Sequence, residues 1–321
     1  MNAVSTERPG GRESMPSGRN PKRGAKLRIK NLDLYLYIVP AALYFGIFAY
    51  GPMFGLLIAF KDYNIFKGVF GSEWVGLAHF REMFAIPEFW RMVRNTLMLN
   101  ALGLAVGFPA PILLALMLGE IASKHIRRIS QSLLYLPHFL SWIVLGGMVY
   151  AVLSPTYGVV NQILRAVGLQ EIYFMASEFW WVIVYTLTDV WQSAGWGTII
   201  YLAAMSAIDP CLYEAAAIDG AGRIRRMRHI TIPGILPTVT VLFILTVGRM
   251  VSIGVEQPLA LQNPVVMDVA QVISTYIYHV GIRHGEFGLT TAVGLVQSVI
   301  NLGLVLGANY LAKVRVGEGL W

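Results

Sequence analysis

Residues Glu214–Pro237 read EAAAIDGAGRIRRMRHITIPGILP, a polar, Gly-containing, basic stretch between two of the most apolar segments of the chain. Asp209-Pro210, just before it, supplies an N-cap followed by Pro at the first helical position, a strong helix start. Cys211 to Asp219 contains Leu, Ala and Glu, which favour helix, and Gly220 stands where a left-handed C-terminal cap belongs. The pattern predicts a helix of roughly ten residues, about 15 Å long, with a slim surface at Ala215, Ala216 and Ala217. Four arginines follow before His229, and Pro233 and Pro237 are expected to limit any helix continuing into the next apolar run. A short capped helix held between two apolar runs suits docking into a groove on another protein. An interfacial helix held on anionic lipid by its arginines is an equal alternative.

The rest of the chain decides where such a helix sits. Only 13% of the 321 residues are charged and 56% are hydrophobic, against roughly 25% charged in an average soluble domain. So little charge cannot cover the exterior of a globular protein of this size. Asp33 and Lys61 enclose 27 residues without Asp, Glu, Lys or Arg, more than the ~20 that a helix needs to cross the hydrocarbon core. The chain therefore reads as an all-α integral membrane protein, because continuous apolar runs must pair their backbone internally as helices. That first run is too long for a signal-peptide core of about 7–15 residues and is expected to stay in the membrane. A single cysteine, Cys211, excludes an intramolecular disulfide and argues against a Cys metal site.

Six spans are expected, at about 34–60, 95–118, 131–153, 180–203, 235–255 and 289–312. Residues 1–31, rich in Ser, Gly, Pro and Arg, read as a disordered basic arm, leaving 32–321 as one permeation domain with the polar loop at about 206–237. Basic residues cluster in the arm, at Lys124, Arg127 and Arg128, at Arg223, Arg225, Arg226 and Arg228, and at Lys313 and Arg315. The positive-inside rule puts these, and both termini, in the cytoplasm. Because the basic residues flank apolar spans, the basic balance points to membrane topology rather than nucleic acid. Residues 61–94 carry Trp74, Phe80, Phe84, Phe89 and Trp90 and suit interfacial helices, while 256–288 are expected to fold back on the bundle. Gly51/Gly55, Gly103/Gly107 and Gly303/Gly307 are candidate sites of close helix approach, and Pro40, Pro52, Pro109 and Pro111 predict kinks.

The order Glu214-Ala215-Ala216, three residues, Gly220, nine residues, then Ile230-Thr231-Ile232-Pro233 resembles the EAA loop of binding-protein-dependent ABC importer permeases. "LPHFLSWIV", "GTIIYLAAMSAIDPCLYEAAAIDGAGR" and "VEQPLALQNPVVMDVAQVISTYIYHVGI" resemble their polysaccharide and oligosaccharide branch, and the similarity runs from about residue 34 onward. The resemblance implies a six-helix type I transmembrane domain in the bacterial inner membrane, with a cytoplasmic coupling helix that inserts into an ATPase. It implies docking through Glu214, Ala215, Ala216 and Gly220, with Asp219 and Ala221 beside them. It also implies a second homologous permease, a cytoplasmic ATPase dimer, an extracytoplasmic solute-binding protein and an oligosaccharide cargo. ATP and Mg would be held by the ATPase chains. This chain, which has no Gly-Lys dipeptide and hence no P-loop, is expected to hold no cofactor or metal and to catalyse nothing itself.

Asp189, near the middle of the fourth span, is costly there unless it faces protein or water. It reads as a pathway group, a buried hydrogen-bond partner or a proton carrier. Trp191, Gln192, Ser193 and Trp196 favour a polar, aromatic face suited to carbohydrate. Arg249 snorkels to headgroups, pairs with Asp189 or Glu256, or attracts an acidic sugar; in the last case a uronic-acid oligosaccharide such as an alginate fragment becomes the attractive cargo. Asn301 is a weaker pathway candidate, and Asn161, Tyr150 and Tyr157 are candidates for the entrance or for contact with the binding protein. Two rivals remain: a permease for another solute of the same superfamily, and a secondary transporter with Asp189 as its proton site.

Overall fold

The computed structural model describes residues 32–317, 319 and 320; the arm expected over residues 1–31 lies outside them. Among the described residues four helices are long and apolar enough to cross a membrane: Tyr37–Phe60, Pro87–Gly119, Arg223–Val247 and Phe287–Val314. Two bent helix pairs bring the candidates to as many as six: Lys124–Phe139 with Trp142–Leu153, at 102°, and Glu178–Ser206 with Pro210–Ile218, at 72°. Contacts divide the chain between Met53 and Phe54, and the cores and cavities described below belong to the part from Phe54 onward. A minimal antiparallel hairpin, Lys61 opposite Trp74 and Asp62 opposite Glu73, links the first span to the second.

The third span departs from the single span expected at about 131–153. It starts earlier, at Lys124, where the Ser123 hydroxyl accepts from the Ile126 N–H. It tightens to a 3-10 turn over Leu136–Phe139 and restarts at Trp142, where Ser141 accepts from the Val144 N–H. Pro137 lacks an N–H to continue the ladder, and Ser141 offers the next segment a ready cap.

Proline acts otherwise in the fifth span, which the two prolines were expected to delimit. One continuous helix instead runs from Arg223 to Val247 through Pro233 and Pro237. Widened π turns over Gly46–Tyr50, Gly103–Gly107 and Met227–Thr231 each end two residues before a proline, at Pro52, Pro109 and Pro233. A proline ring clashes with the carbonyl four residues back, and in all three places that carbonyl lies inside the widened turn. The span thus tolerates its prolines without breaking.

Two cores hold the part from Phe54 onward. Met83, Phe89, Met92, Val251, Ile273, Leu289 and Val293 form one; Leu99, Trp181, Tyr185, Leu261, Val266, Ala270 and Val272 form the other. Residues 256–283 fold back into both. The Leu261 carbonyl accepts from Trp181 Nε1 at 2.9 Å and from the Tyr150 hydroxyl at 3.0 Å, and Asn95 Nδ2 donates to the carbonyls of Asp268 and Gln271. Close approach within the chain falls at other glycines than the spaced pairs. A Cβ on Gly195 would collide with the Leu134 carbonyl, and one on Gly146 would lie 2.8 Å from the Ala260 oxygen, whereas Gly303 and Gly307 face no neighbour within 4 Å.

Candidate functional site

The short helix of the polar loop runs over Pro210–Ile218, nine residues. Asp209 caps its start, accepting from the Cys211 N–H at 2.9 Å. At its end the Ala221 N–H reaches the Ala216 carbonyl at 2.8 Å and the Gly220 N–H reaches Ala217 at 3.1 Å, a Schellman pair around Gly220 at φ +73°. Glu214, Ala215 and Asp219 are exposed, and Ala216 and Ala221 half-buried. Ile218 and Ile224, 88% and 81% exposed, flank the turn. The Tyr213 hydroxyl lies 2.9 Å from Thr231 Oγ1, tying this helix to the foot of the fifth span.

A cavity of about 670 Å³ opens between the second, fourth and fifth spans, with Asn100, Asp189, Tyr201, Thr246 and Arg249 on its walls. Arg249 sits in the turn that ends the Arg223–Val247 helix, and the backbone there leaves the regular ladder. Its polar groups are satisfied from other spans. Asn100 Nδ2 donates to the Met250 carbonyl at 2.8 Å, and Gln297 Nε2 donates to the carbonyl of Val251. Asn301 accepts from the Val251 N–H and donates to Ser252 Oγ at 2.7 Å. Irregular backbone at membrane depth survives where protein supplies such partners. Asp189 and Arg249 therefore face one cavity from opposite helices. Among the described residues no ion pair joins them, and neither meets another opposite charge. Asp189 also borders a second cavity, about 340 Å³, with Trp142, Gln192, Glu256 and Gln257.

The family model for the inner membrane component of binding-protein-dependent transport systems matches residues 107–314, which take in the fourth span, the capped helix and the Arg249 turn. The chain belongs to that family. The permease is 45% identical to the polygalacturonan/rhamnogalacturonan transport system permease protein YteP of Bacillus subtilis, over 91% of each chain. It is 43% identical to LplB of the same organism, over 90% of this chain and 91% of that one. Its fold matches a chain of a bacterial alginate ABC transporter, crystallised with an alginate pentasaccharide-bound periplasmic protein, at a TM-score of 0.81 and 40% identity, over 89% and 96% of the two chains. The permease is accordingly a multi-pass inner-membrane transport subunit and not an ATPase.

The residues expected along the pathway separate. Asp189 and Arg249 come together, and Gln192 joins Asp189 at the second cavity while donating to the His138 carbonyl at 3.4 Å. Trp191 points away, into an apolar hollow with Trp180 and Leu187. Trp196 stacks on His138, with centroids 4.7 Å apart, and lines neither polar cavity. Asn301 clasps the Arg249 turn rather than lining it. About the helix axis Trp191 lies roughly 160° from Asp189 and so faces elsewhere, whereas Trp196 lies roughly 20° from it, on the same face but two turns on, where His138 covers it. Asn100 and Glu256, which sequence reasoning left outside the pathway, carry no local pattern that sets them apart.

Proposed function

We propose that the permease forms half of the pathway of an ATP-driven importer for acidic oligosaccharides, with Arg249 as counter-charge to a uronate carboxylate. The observation that carries this is Arg249 on the cavity wall with no carboxylate of the described residues paired to it. A guanidinium offers a fork of N–H donors matched to a carboxylate, and Asp189 opposite accepts from sugar hydroxyls. The relatives agree in chemistry: one is named for galacturonans, and another structure belongs to an importer of the acidic polysaccharide alginate.

In this reading the arginine-rich loops and both termini are cytoplasmic. Pro210–Ile218 is the coupling helix, and it seats in a cytoplasmic ATPase dimer that holds ATP and Mg. Glu214, Ala215, Ala216 and Gly220 make the contact, with Asp219 and Ala221 beside them and the exposed Ile218 and Ile224 adding apolar area. A second permease closes the open side of the cavity, and an extracytoplasmic binding protein delivers the cargo. ATP binding shifts the equilibrium between inward- and outward-facing states by its preference for one of them.

The test is uptake by the reconstituted importer with its binding protein. Arg249→Gln removes charge-assisted hydrogen bonds worth about 1.5–3 kcal/mol, so galacturonate-oligomer uptake should fall by roughly one to two powers of ten while ATPase association is kept. Uronate uptake unchanged by Arg249→Gln, or uptake confined to neutral sugars, would remove the acidic reading.

A further inference from the structure

The helix Trp142–Leu153 turns 102° away from the one before it and joins two cavities. Trp142 borders the Asp189–Glu256 cavity. Eight residues on, about 12 Å along a helix, Tyr150 borders a third, of about 320 Å³, with Ser154, Tyr157, Tyr173 and Asn263. Its walls are fixed by buried amides. Asn161, fully buried, donates to the carbonyls of Leu153, Ser154 and Ile172 and accepts from the Ile172 N–H at 2.8 Å. Asn263 donates to the Met175 carbonyl at 2.8 Å and to the Tyr150 hydroxyl at 3.2 Å. The Tyr150 hydroxyl is thus spoken for, but Tyr157 and Tyr173 are 69% and 59% exposed. Among the described residues no Lys, Arg, Asp or Glu lines this cavity.

We infer that the Tyr150–Tyr157–Tyr173 cavity is a saccharide subsite, holding one sugar ring of the cargo while another ring of the same chain lies at Asp189. An uncharged site framed by tyrosine rings and hydroxyls suits a pyranose, whose C–H face covers an aromatic ring while its hydroxyls hydrogen-bond at the edge. Because Trp142 and Tyr150 lie about 12 Å apart along their helix, a saccharide has to be longer than one ring to reach both sites, so the subsite selects for chain length and leaves charge to Arg249. The inference rests on the cargo being a saccharide and not on its being acidic.

The test uses the complete importer in proteoliposomes with its binding protein, and two probe series, oligogalacturonides and arabino-oligosaccharides, each from di- to pentasaccharide. Which series stimulates ATP hydrolysis by the unaltered importer decides the acidic reading; the length dependence within that series decides the subsite. Tyr157→Ala and Tyr173→Ala should raise KM about tenfold for the pentasaccharide and leave the disaccharide unchanged, with Tyr157→Phe retaining most of the effect of the ring. Equal KM values for the variants and the unaltered importer at every length would overturn the inference. So would an equal loss at all lengths accompanied by weaker capture of the binding protein, which would make this surface the binding protein's seat.

Discussion

The turn at Gly220 and the turn at Arg249 both interrupt helix, and they are held by different means. Around Gly220 the bonds that shape the turn span five residues or fewer, from Asp209 to Cys211 and from Ala216 to Ala221. Around Arg249 the polar atoms of Met250, Val251 and Ser252 are met by Asn100, Gln297 and Asn301, between 45 and 152 positions away. The first turn is exposed, so water satisfies what the caps leave over. The second lies among apolar spans, where an unmet carbonyl costs several kcal/mol, so each partner has to come from another helix. A local device gives a rigid handle; a long-range one ties the cavity wall to the second and sixth spans.

Breaking the long-range device should have the larger effect. Asn100→Ala strips a donor from the Met250 and Ser252 carbonyls, costing about 1–3 kcal/mol, and should lower the melting temperature of the purified permease; an unchanged melting curve would show that the turn holds itself. Gly220→Val forces a β-branched residue to φ +73°, a penalty of about 1–2 kcal/mol confined to the cap. It should leave the melting curve of the spans nearly unmoved yet weaken co-purification of the ATPase, and Glu214→Lys should do the same. Intact pull-down by both variants would refute the coupling assignment. The smallest effect concerns His279, whose pKa is lowered by burial and then by Arg283 and His284. A depressed folded-state value favours the neutral ring, so its contribution to stability is present above the ordinary histidine range and is lost as pH falls through it. Stability measured between pH 7 and 5 should therefore drop less in His279→Gln than in the unaltered protein.

Much of this was legible in the residues. Asp209, Pro210 and Gly220 name their own positions in a helix, and the observed caps lie where they point. The apolar runs gave the spans, with starts displaced to Pro87, Lys124 and Arg223 because polar helical turns precede the apolar stretch. The break after Leu136–Phe139 was missed because a continuous apolar run hides a change of direction. Pro233 misled for the opposite reason, since a π turn absorbs the clash that ordinarily ends a helix. Asp189 stood out by its cost in lipid, but Trp191, Trp196 and Asn301 could be sorted into lining and packing residues only once their neighbours were known.

Sequence by itself determined that this chain spans the membrane, where its spans lie, and that a capped nine-residue helix interrupts them, because hydrophobic length and capping act over one to seven turns of chain. Only the tertiary structure decided that Asp189 and Arg249 share a cavity and that three distant amides hold the turn between them. Those facts depend on how helices far apart in the chain face one another, and no local pattern encodes that rotation.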